Sequence, residues 1–384
     1  MQLGFIDFSK EERNKVLSTL KFLGDRTALD ELGIGVVRDA FADILFPGIS
    51  TLQTRAKYFV LIPYIFSKAE KQTYHRRNEV LQWINNTEDK LVDVLVRNSD
   101  PKETGIIGSD AARQKRVVKM KPSSIYWNGL RTFEILRNGK ISLGNACDIV
   151  MAKSKKVKIN NTKSDGETFD DQTANDGDFM LFSPVSPDYN FENDMDIALT
   201  KNEAGFLSDK IIKAPSTGTS LLAFLIIEKL NVESFDEMPI SILPQNIKRY
   251  YLLAKDFADF IIGAHIRYNV IYSNYEDTDM LGDFVFWKEN FDFSSFDLNA
   301  IFESISCNYS TRKFCEDFLK VIVANDIPEL DRLIIARERS VKGDRSKLLK
   351  PTEYAYTPVH YYKLNYRFGT AKTIISDIIK GLEG

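Results

Sequence analysis

The chain has 384 residues, of which 43% are hydrophobic and 27% charged, and its formal net charge is -3. This length predicts two domains, and the composition is typical of globular proteins rather than of disordered or collagen-like chains. The near-neutral charge excludes a globally basic nucleic-acid-binding protein, so any contact with nucleic acid has to come from a local patch.

The cysteines and the apolar stretches indicate where the protein works. Cys147, Cys307 and Cys315 form no CxxC pair, and an odd number of cysteines argues against a disulfide framework. The N-terminus lacks the basic and apolar regions of a signal peptide, and no stretch approaches the roughly 20 apolar residues that span a bilayer. We therefore expect a cytoplasmic protein without membrane contact.

The segment 31–66 predicts a helical hairpin, preceded by another helix that Ser9 can cap. The apolar residues of 36–45 fall on one helical face, Pro47-Gly48 ends this helix, and Ser50 or Thr51 can cap a second helix. Pro63 should kink or end that second helix because its ring clashes with the preceding turn.

Arg55 of this hairpin has two interpretations. The N-terminus of a helix can hold an anion, so a phosphate contact is one of them. The other is an internal ion pair with Asp39 or Asp43 of the preceding helix, which we favour because facing helices commonly pair in this way.

Residues 105–150 show a different order of elements. A basic run is followed by a helix that Pro122 opens and by a turn at Asn138-Gly139. A helix, a tight turn and then a strand are typical of a winged-helix module, although unrelated helix-turn segments show this order too. The fold prediction is a mainly α protein with a helical domain over 1–150, including a winged-helix-like segment near 105–150.

Residues 151–200 are predicted to be a charged loop or linker. Five lysines lie between positions 153 and 163, and positions 164–196 hold ten acidic residues and no Lys or Arg. Segregated charge without an apolar period cannot offset the entropy of ordering, so residues 155–185 should be a mobile, protease-sensitive loop.

Residues 201–384 predict a helical C-terminal domain. The run "LLAFLII" at 221–227 is too short to span a membrane and suits a buried helix, with Thr217 or Thr219 as its cap. Residues 247–274 predict a long core helix, and three more helices follow. His265 lies in the apolar face of the long helix, where we favour a core histidine with a backbone partner over a general base.

Catalytic and metal-binding patterns are absent from the sequence. His75, His265 and His360 are isolated, no Walker A motif occurs, and Gly33-x-Gly35 lacks the third glycine of a dinucleotide site. We therefore predict no metal and no cofactor, and we favour a protein without enzymatic activity over an enzyme.

Two basic segments point to nucleic acid. Residues 105–150 hold eight Lys or Arg against three acids, and residues 329–350 hold seven against four. Basic residues beside aromatic ones suit phosphate contact with stacking, although a solvated charged face explains either segment alone. We place Trp127 in the core. The first candidate set is Arg113, Lys115, Arg116, Lys119, Lys121, Ser123, Ser124 and Arg131. The second is Arg337, Arg339, Lys342, Arg345 and Lys347.

Several motifs occur in a characteristic order along the chain: "GFIDFSKEE", "DELGIG" with "FPGISTLQTRAKYFVLIPYIF", "GIIG" before "PSSIYWNGL", "GAHIRYN", "RERSVKGDRSKL" and "YRFGTAKTIISDIIKGL". Together they resemble one uncharacterised bacterial family, catalogued as domain of unknown function six-three-six-one. The resemblance carries no activity over to this chain. It implies an association with mobile and anti-phage defence neighbourhoods, and hence protein partners from a defence-type system.

Three hypotheses follow. The chain is a nucleic-acid-binding or adaptor subunit, a pure protein-protein scaffold, or an enzyme whose site assembles only in three dimensions. The first predicts a contiguous basic face, the second an exposed apolar or aromatic patch, and the third a deep pocket with converging polar groups.

Overall fold

The computed structural model describes residues 30–110, 120–162, 180–183, 190, 193–349 and 355–384, and for 155–162 the backbone alone. The helix predicted after Ser9 and the basic residues 113–119 lie outside these ranges. So do residues 163–179 of the predicted mobile loop.

The described part of the chain is mainly α-helical, as predicted. It contains thirteen α-helices, and its only β-pairing is an isolated antiparallel bridge between Leu136 and Phe182. The winged-helix-like detail is therefore not confirmed. The helices are α1 (Gly35–Leu45), α2 (Tyr58–Ala69), α3 (Arg77–Asn98), α4 (Pro122–Thr132), α5 (Leu143–Thr162), α6 (Lys201–Lys213), α7 (Leu221–Ile227), α8 (Gln245–Tyr272), α9 (Thr278–Asn290), α10 (Leu298–Ser304), α11 (Tyr309–Val323), α12 (Ile327–Lys342) and α13 (Phe368–Glu383).

Within the described residues the chain forms two compact units, each of which combines two separate stretches of sequence. The first unit combines residues 30–41 with 248–366, and the second combines 42–247 with 367–384. We call them the discontinuous unit and the central unit.

Helix α2 is the centre of the central unit, because nine of its twelve residues are buried. Its aromatic rings pack on α4 and the residues that follow: Phe59 lies 4.9 Å from Tyr126 and 4.9 Å from Phe133, between ring centroids. Gly129 of α4 permits this approach, since a Cβ there would lie 2.6 Å from the Phe59 ring. In the same unit, α13 packs on α6 and α7.

The predicted hairpin is right in its first helix and wrong in the start of its second. Helix α1 ends at Leu45, just before Pro47-Gly48. Residues 50–57 are turns and α2 starts only at Tyr58, so neither Ser50 nor Thr51 caps it. Helix α2 also continues beyond Pro63 to Ala69. Tertiary burial of nearly the whole helix outweighs the local cost of the proline.

The predicted charged linker 151–200 begins and ends in ordered structure. Helix α5 continues to Thr162, so residues 151–162 are helical rather than loop. Met195, Ile197 and Leu199 are buried, and Thr200 caps α6 by a capping box with Glu203. In the sequence, the many charged residues of this segment make the alternating apolar residues just before α6 difficult to recognise.

The C-terminal helix predictions are confirmed. Residues 221–227 form the buried helix α7, although Ser220 caps it rather than Thr217 or Thr219. The long helix α8 supplies buried Tyr251, Phe257 and Ile261 to the core of the discontinuous unit. His265 of α8 is 5% exposed, and its Nδ1 lies 2.6 Å from the carbonyl oxygen of His360. It is therefore the core histidine with a backbone partner that we predicted.

Candidate nucleic-acid interface

The turn after α4 is the part of the predicted basic segment that the structure builds into a surface. The amide of Arg137 donates to Leu181 (2.9 Å), and the amide of Ser183 donates to Ile135 (2.8 Å). These two hydrogen bonds pair residues 135–137 with residues 181–183. Ile135 and Leu136 are buried, and Arg137 is exposed.

Three basic side chains are exposed at this turn. The Nε of Arg131 donates to the carbonyl oxygen of Gly139 at 2.5 Å, which folds the end of α4 over the turn. Arg131, Arg137 and Lys140 are all exposed. Arg131 is therefore held against the backbone of Gly139, which lies between Arg137 and Lys140 in sequence.

Helix α6 adds two lysines to the same surface. The Nζ of Lys210 donates to the carbonyl oxygen of Glu134 at 3.0 Å. Burial lowers the pKa of Lys210, and the positive charges of Arg137 and Lys213 lower it further against the opposing effects of Glu134 and Asp209. We call Arg131, Arg137, Lys140, Lys210 and Lys213 the basic patch. The two acids nearby are Glu134 and Asp209, and Asp209 lies 2.5 Å from Lys213. Five cations and two acids leave a formal charge of +3.

Lys210 and Lys213 were missed by the sequence analysis. They end an amphipathic helix about seventy positions away from the turn, where lysines are ordinary because they complement the helix dipole. Only the packing of α6 beside the turn makes them part of a surface. Their exposure and spacing alone carry no signal for nucleic acid.

The other described members of the first candidate set mostly have partners within the protein. The Nζ of Lys121 lies 2.5 Å from Asp89, and its side chain is 14% exposed. Ser123 is buried: its amide donates to Glu88 Oε1 at 2.7 Å, and its hydroxyl donates to Glu88 Oε2 at 3.3 Å. Ser124 is exposed. The start of α4 therefore already binds an internal carboxylate, that of Glu88.

This buried carboxylate predicts a pH effect on stability. Burial raises the pKa of Glu88 from 4.5 to about 7, against the hydrogen bonds from Ser123 that lower it. The protonated side chain thus stabilises the fold fully below pH 4.5. That stabilisation disappears as the pH rises through about 7, because the folded state then carries a buried charge.

We expect Glu88→Gln to gain stability relative to the parent between about pH 5 and about pH 8, by up to about 3 kcal/mol. Urea unfolding across this range measures the difference in the free energy of unfolding. Asp93→Asn, on the exposed side of α3, serves as the control and should follow the parent at every pH. Parallel pH profiles for the parent and Glu88→Gln would contradict the assignment.

The aromatic residues of this segment are core residues. Tyr126 is fully buried, and its hydroxyl accepts hydrogen bonds from the backbone amides of Thr54 (2.7 Å) and Arg55 (3.0 Å). Trp127 is 8% exposed and donates from Nε1 to the carbonyl oxygen of Ile141 at 3.0 Å. Neither ring is placed to stack on a base, which agrees with the core position that we predicted for Trp127.

The second candidate set separates into buried and exposed residues. Arg337 is 8% exposed and donates to the carbonyl oxygen of Leu32 (2.7 Å) and to the hydroxyl of Ser310 (2.7 Å). Lys342 and Lys347 lie 3.4 Å and 3.5 Å from the buried carboxylate of Glu31. Arg339 and Arg345 are exposed. The set therefore does not form one surface, because most of its cations stabilise the discontinuous unit from within.

Arg55 is buried, as predicted, but its predicted partners are wrong. Its Nε lies 2.9 Å from Asp377 Oδ2, and its Nη1 lies 2.5 Å from Glu103 Oε2. Asp43 pairs instead with Arg367 at 2.6 Å. The side chain of Arg55 thus joins the turn before α2 to the terminal helix α13, and no phosphate site forms at this turn.

The described ranges contain neither a metal-binding cluster nor a membrane-spanning helix. No three His, Cys, Asp or Glu side chains converge there in a way that could hold a metal ion. Among the helices of the described residues, none combines the length and apolar character that crossing a membrane requires.

Comparison with known proteins gives one match. A family model described as a family of unknown function, DUF6361, matches residues 1–280. No curated protein and no solved structure matches the chain.

Proposed function

The chain belongs to the DUF6361 family, a family of unknown function, and from its own residues we propose that it is a non-catalytic nucleic-acid-binding adaptor subunit. The observation that carries this proposal is the basic patch. Its cations come from two elements, α4 with its turn and α6, which converge although they are distant in sequence.

The electrostatics of the patch favour a polyanion as its ligand. Burial is the main cause of the lowered pKa of Lys210, and repulsion from Arg137 and Lys213 contributes to it. Phosphates of a nucleic-acid backbone would relieve the repulsion and release their counterions. Arg131 and Arg137 can additionally hold phosphate oxygens in a bidentate manner.

The patch favours backbone contact over base reading. Tyr126 and Trp127 are buried, so the described part of the segment offers no aromatic platform for bases. Binding should therefore depend on salt and little on sequence. Arg113, Lys115, Arg116 and Lys119 immediately precede the described basic residues in sequence and would extend the same interaction.

The cellular setting is part of the proposal. We expect genes of this family to neighbour anti-phage defence genes, which suggests a multi-protein bacterial system in which an adaptor holds nucleic acid for its partners. A pure scaffold is the second candidate, and exposed Phe286, with 68% of its surface accessible, is the observation that favours it.

Gel-shift measurements at low salt test the proposal. We expect the parent to bind short duplex DNA, single-stranded DNA or RNA, and the variant Arg137→Gln, Lys140→Gln, Lys210→Gln to bind at least about tenfold more weakly. The control variant Lys71→Gln, Lys90→Gln, Lys102→Gln removes three exposed lysines of the same unit and should bind like the parent. Absence of binding to all three probes would overturn the proposal and leave the scaffold.

A further inference from the structure

A cavity in the discontinuous unit contains none of the predicted site residues. It has a volume of about 500 Å³ and lies between one face of α8, one face of α9 and the loop 291–296. This volume is within the range of sites that take a small molecule or a single large side chain. Its walls combine two features, aromatic rings and carboxylates.

The aromatic wall is formed by Trp287, Phe291 and Phe296. The ring centroids of Trp287 and Phe291 are 5.6 Å apart, and those of Phe291 and Phe296 are 5.2 Å apart. The Trp287 indole donates from Nε1 to the carbonyl oxygen of Asp259 at 2.8 Å. It also packs directly on Gly263, where a Cβ would lie 2.2 Å from the ring. The wall is therefore fixed in place before any ligand arrives.

Four carboxylates line the same cavity. They belong to Asp256, Asp259, Asp283 and Asp292, and with the single cation Lys363 they leave a formal charge of -3. Hydrogen bonds from Ser294 and Ser295 lower the pKa of Asp292 to about 2, so this group is ionised at neutral pH. The cavity thus attracts cations and repels anions.

One cation of the chain already occupies the edge of the cavity. The ammonium of Lys363 lies 2.5 Å from Asp259 Oδ1, while Lys255 lies 3.0 Å from Asp259 Oδ2. Asp259 is therefore neutralised by the protein itself. Asp256 and Asp283 remain as carboxylates that line the cavity together with the aromatic rings.

A cavity lined by both carboxylates and aromatic rings is complementary to an organic cation. The face of an aromatic ring attracts a cation, most strongly for Trp, and a guanidinium can stack on the ring while its N–H groups reach a carboxylate. A hydrated metal ion would gain little from the rings. An alkylammonium or guanidinium group uses both walls.

The surface beside the cavity indicates that this cation belongs to a polypeptide. Phe286 lines the cavity and is nevertheless 68% exposed. A free small cation would leave this ring in water, whereas residues flanking a basic side chain would cover it.

We propose that the cavity binds the side chain of an arginine, or of a lysine, presented by a partner protein. The guanidinium stacks on Trp287 and Phe291, Asp256 and Asp283 neutralise it, and neighbouring apolar residues of the partner cover Phe286. This site is distinct from the basic patch, and with it the adaptor would bind both a polyanion and a protein.

Calorimetry with the synthetic peptide acetyl-Ala-Leu-Arg-Leu-Ala-amide tests the site. We expect binding, and binding at least about tenfold weaker when citrulline, which is neutral and similar in shape, replaces the arginine. Asp256→Asn with Asp283→Asn should weaken binding of the arginine peptide to a similar extent. Glu289→Gln, an exposed residue of α9 outside the cavity, should leave it unchanged.

Several results would overturn the assignment. They are no binding at millimolar peptide, equal binding of the citrulline peptide, and unchanged binding by an Asp256→Asn, Asp283→Asn variant that melts like the parent. If spermidine binds the parent as tightly as the arginine peptide does, the ligand is a free polyamine rather than a partner's side chain. None of these results depends on whether the basic patch binds nucleic acid.

Discussion

Arg55→Ala should destabilise the protein by about 3–5 kcal/mol, because it leaves a buried carboxylate without its cation. The side chains of Arg55 and Asp377 are 8% and 6% exposed, and Nε of Arg55 reaches both carboxylate oxygens, at 3.1 Å and 2.9 Å. The substitution removes both hydrogen bonds from Arg55 to Asp377, while the hydrogen bond from the amide of Ala56 remains. Urea or thermal unfolding measures the decrease in stability.

The control for this prediction is Arg38→Ala. Arg38 pairs with Asp39 at 3.2 Å, but both side chains are largely open to solvent, at 42% and 45% exposed. Removing such a surface pair should cost less than about 1 kcal/mol. An Arg55→Ala variant as stable as Arg38→Ala would show that the ion pair with α13 does not hold the central unit together.

Trp127→Ala should cost about 3–5 kcal/mol of stability, because it opens a cavity in the aromatic core of the central unit. Its ring centroid lies 5.7 Å from that of Phe66 and 5.9 Å from that of Phe182, and the substitution also removes the hydrogen bond from Nε1 to Ile141. The melting temperature should fall accordingly. At a temperature where the variant is folded, the salt dependence of nucleic-acid binding should not change.

A different outcome for Trp127→Ala would show that Trp127 takes part in nucleic-acid binding. If the variant melts like the parent but binds single-stranded nucleic acid more weakly, the ring stacks on a base instead of packing in the core.

Local patterns account for the elements that were predicted correctly. Helix α1 ends just before Pro47-Gly48, and α8 is predicted by apolar residues at three- and four-residue spacing. Both patterns were readable from the sequence because each lies within or next to a single helix. The burial of Arg55 was also predictable, since it stands among aromatic and apolar residues. Its partner Asp377 was not, because 322 positions separate the two residues.

The candidate sites depend on tertiary packing and were predicted poorly for that reason. Arg337 and Arg339 are two positions apart, which on a helix places them on different faces, so one donates to Leu32 and the other is exposed. Counting charge along the chain cannot separate them. The basic patch needs Lys210 from α6, and the acidic cavity needs carboxylates from α8, α9 and the loop after α9.

The central claim, that the basic patch binds nucleic acid through phosphates, is tested most directly by the slope of log affinity against log salt concentration. For duplex DNA, the variant Arg137→Gln, Lys140→Gln, Lys210→Gln should have a shallower slope than the parent, by up to about 0.9 for each phosphate that it no longer neutralises. The variant Arg113→Gln, Lys115→Gln, Arg116→Gln should show the same effect if the predicted cluster extends the interface. Identical slopes for the parent and the patch variant, with both proteins folded, would contradict the account.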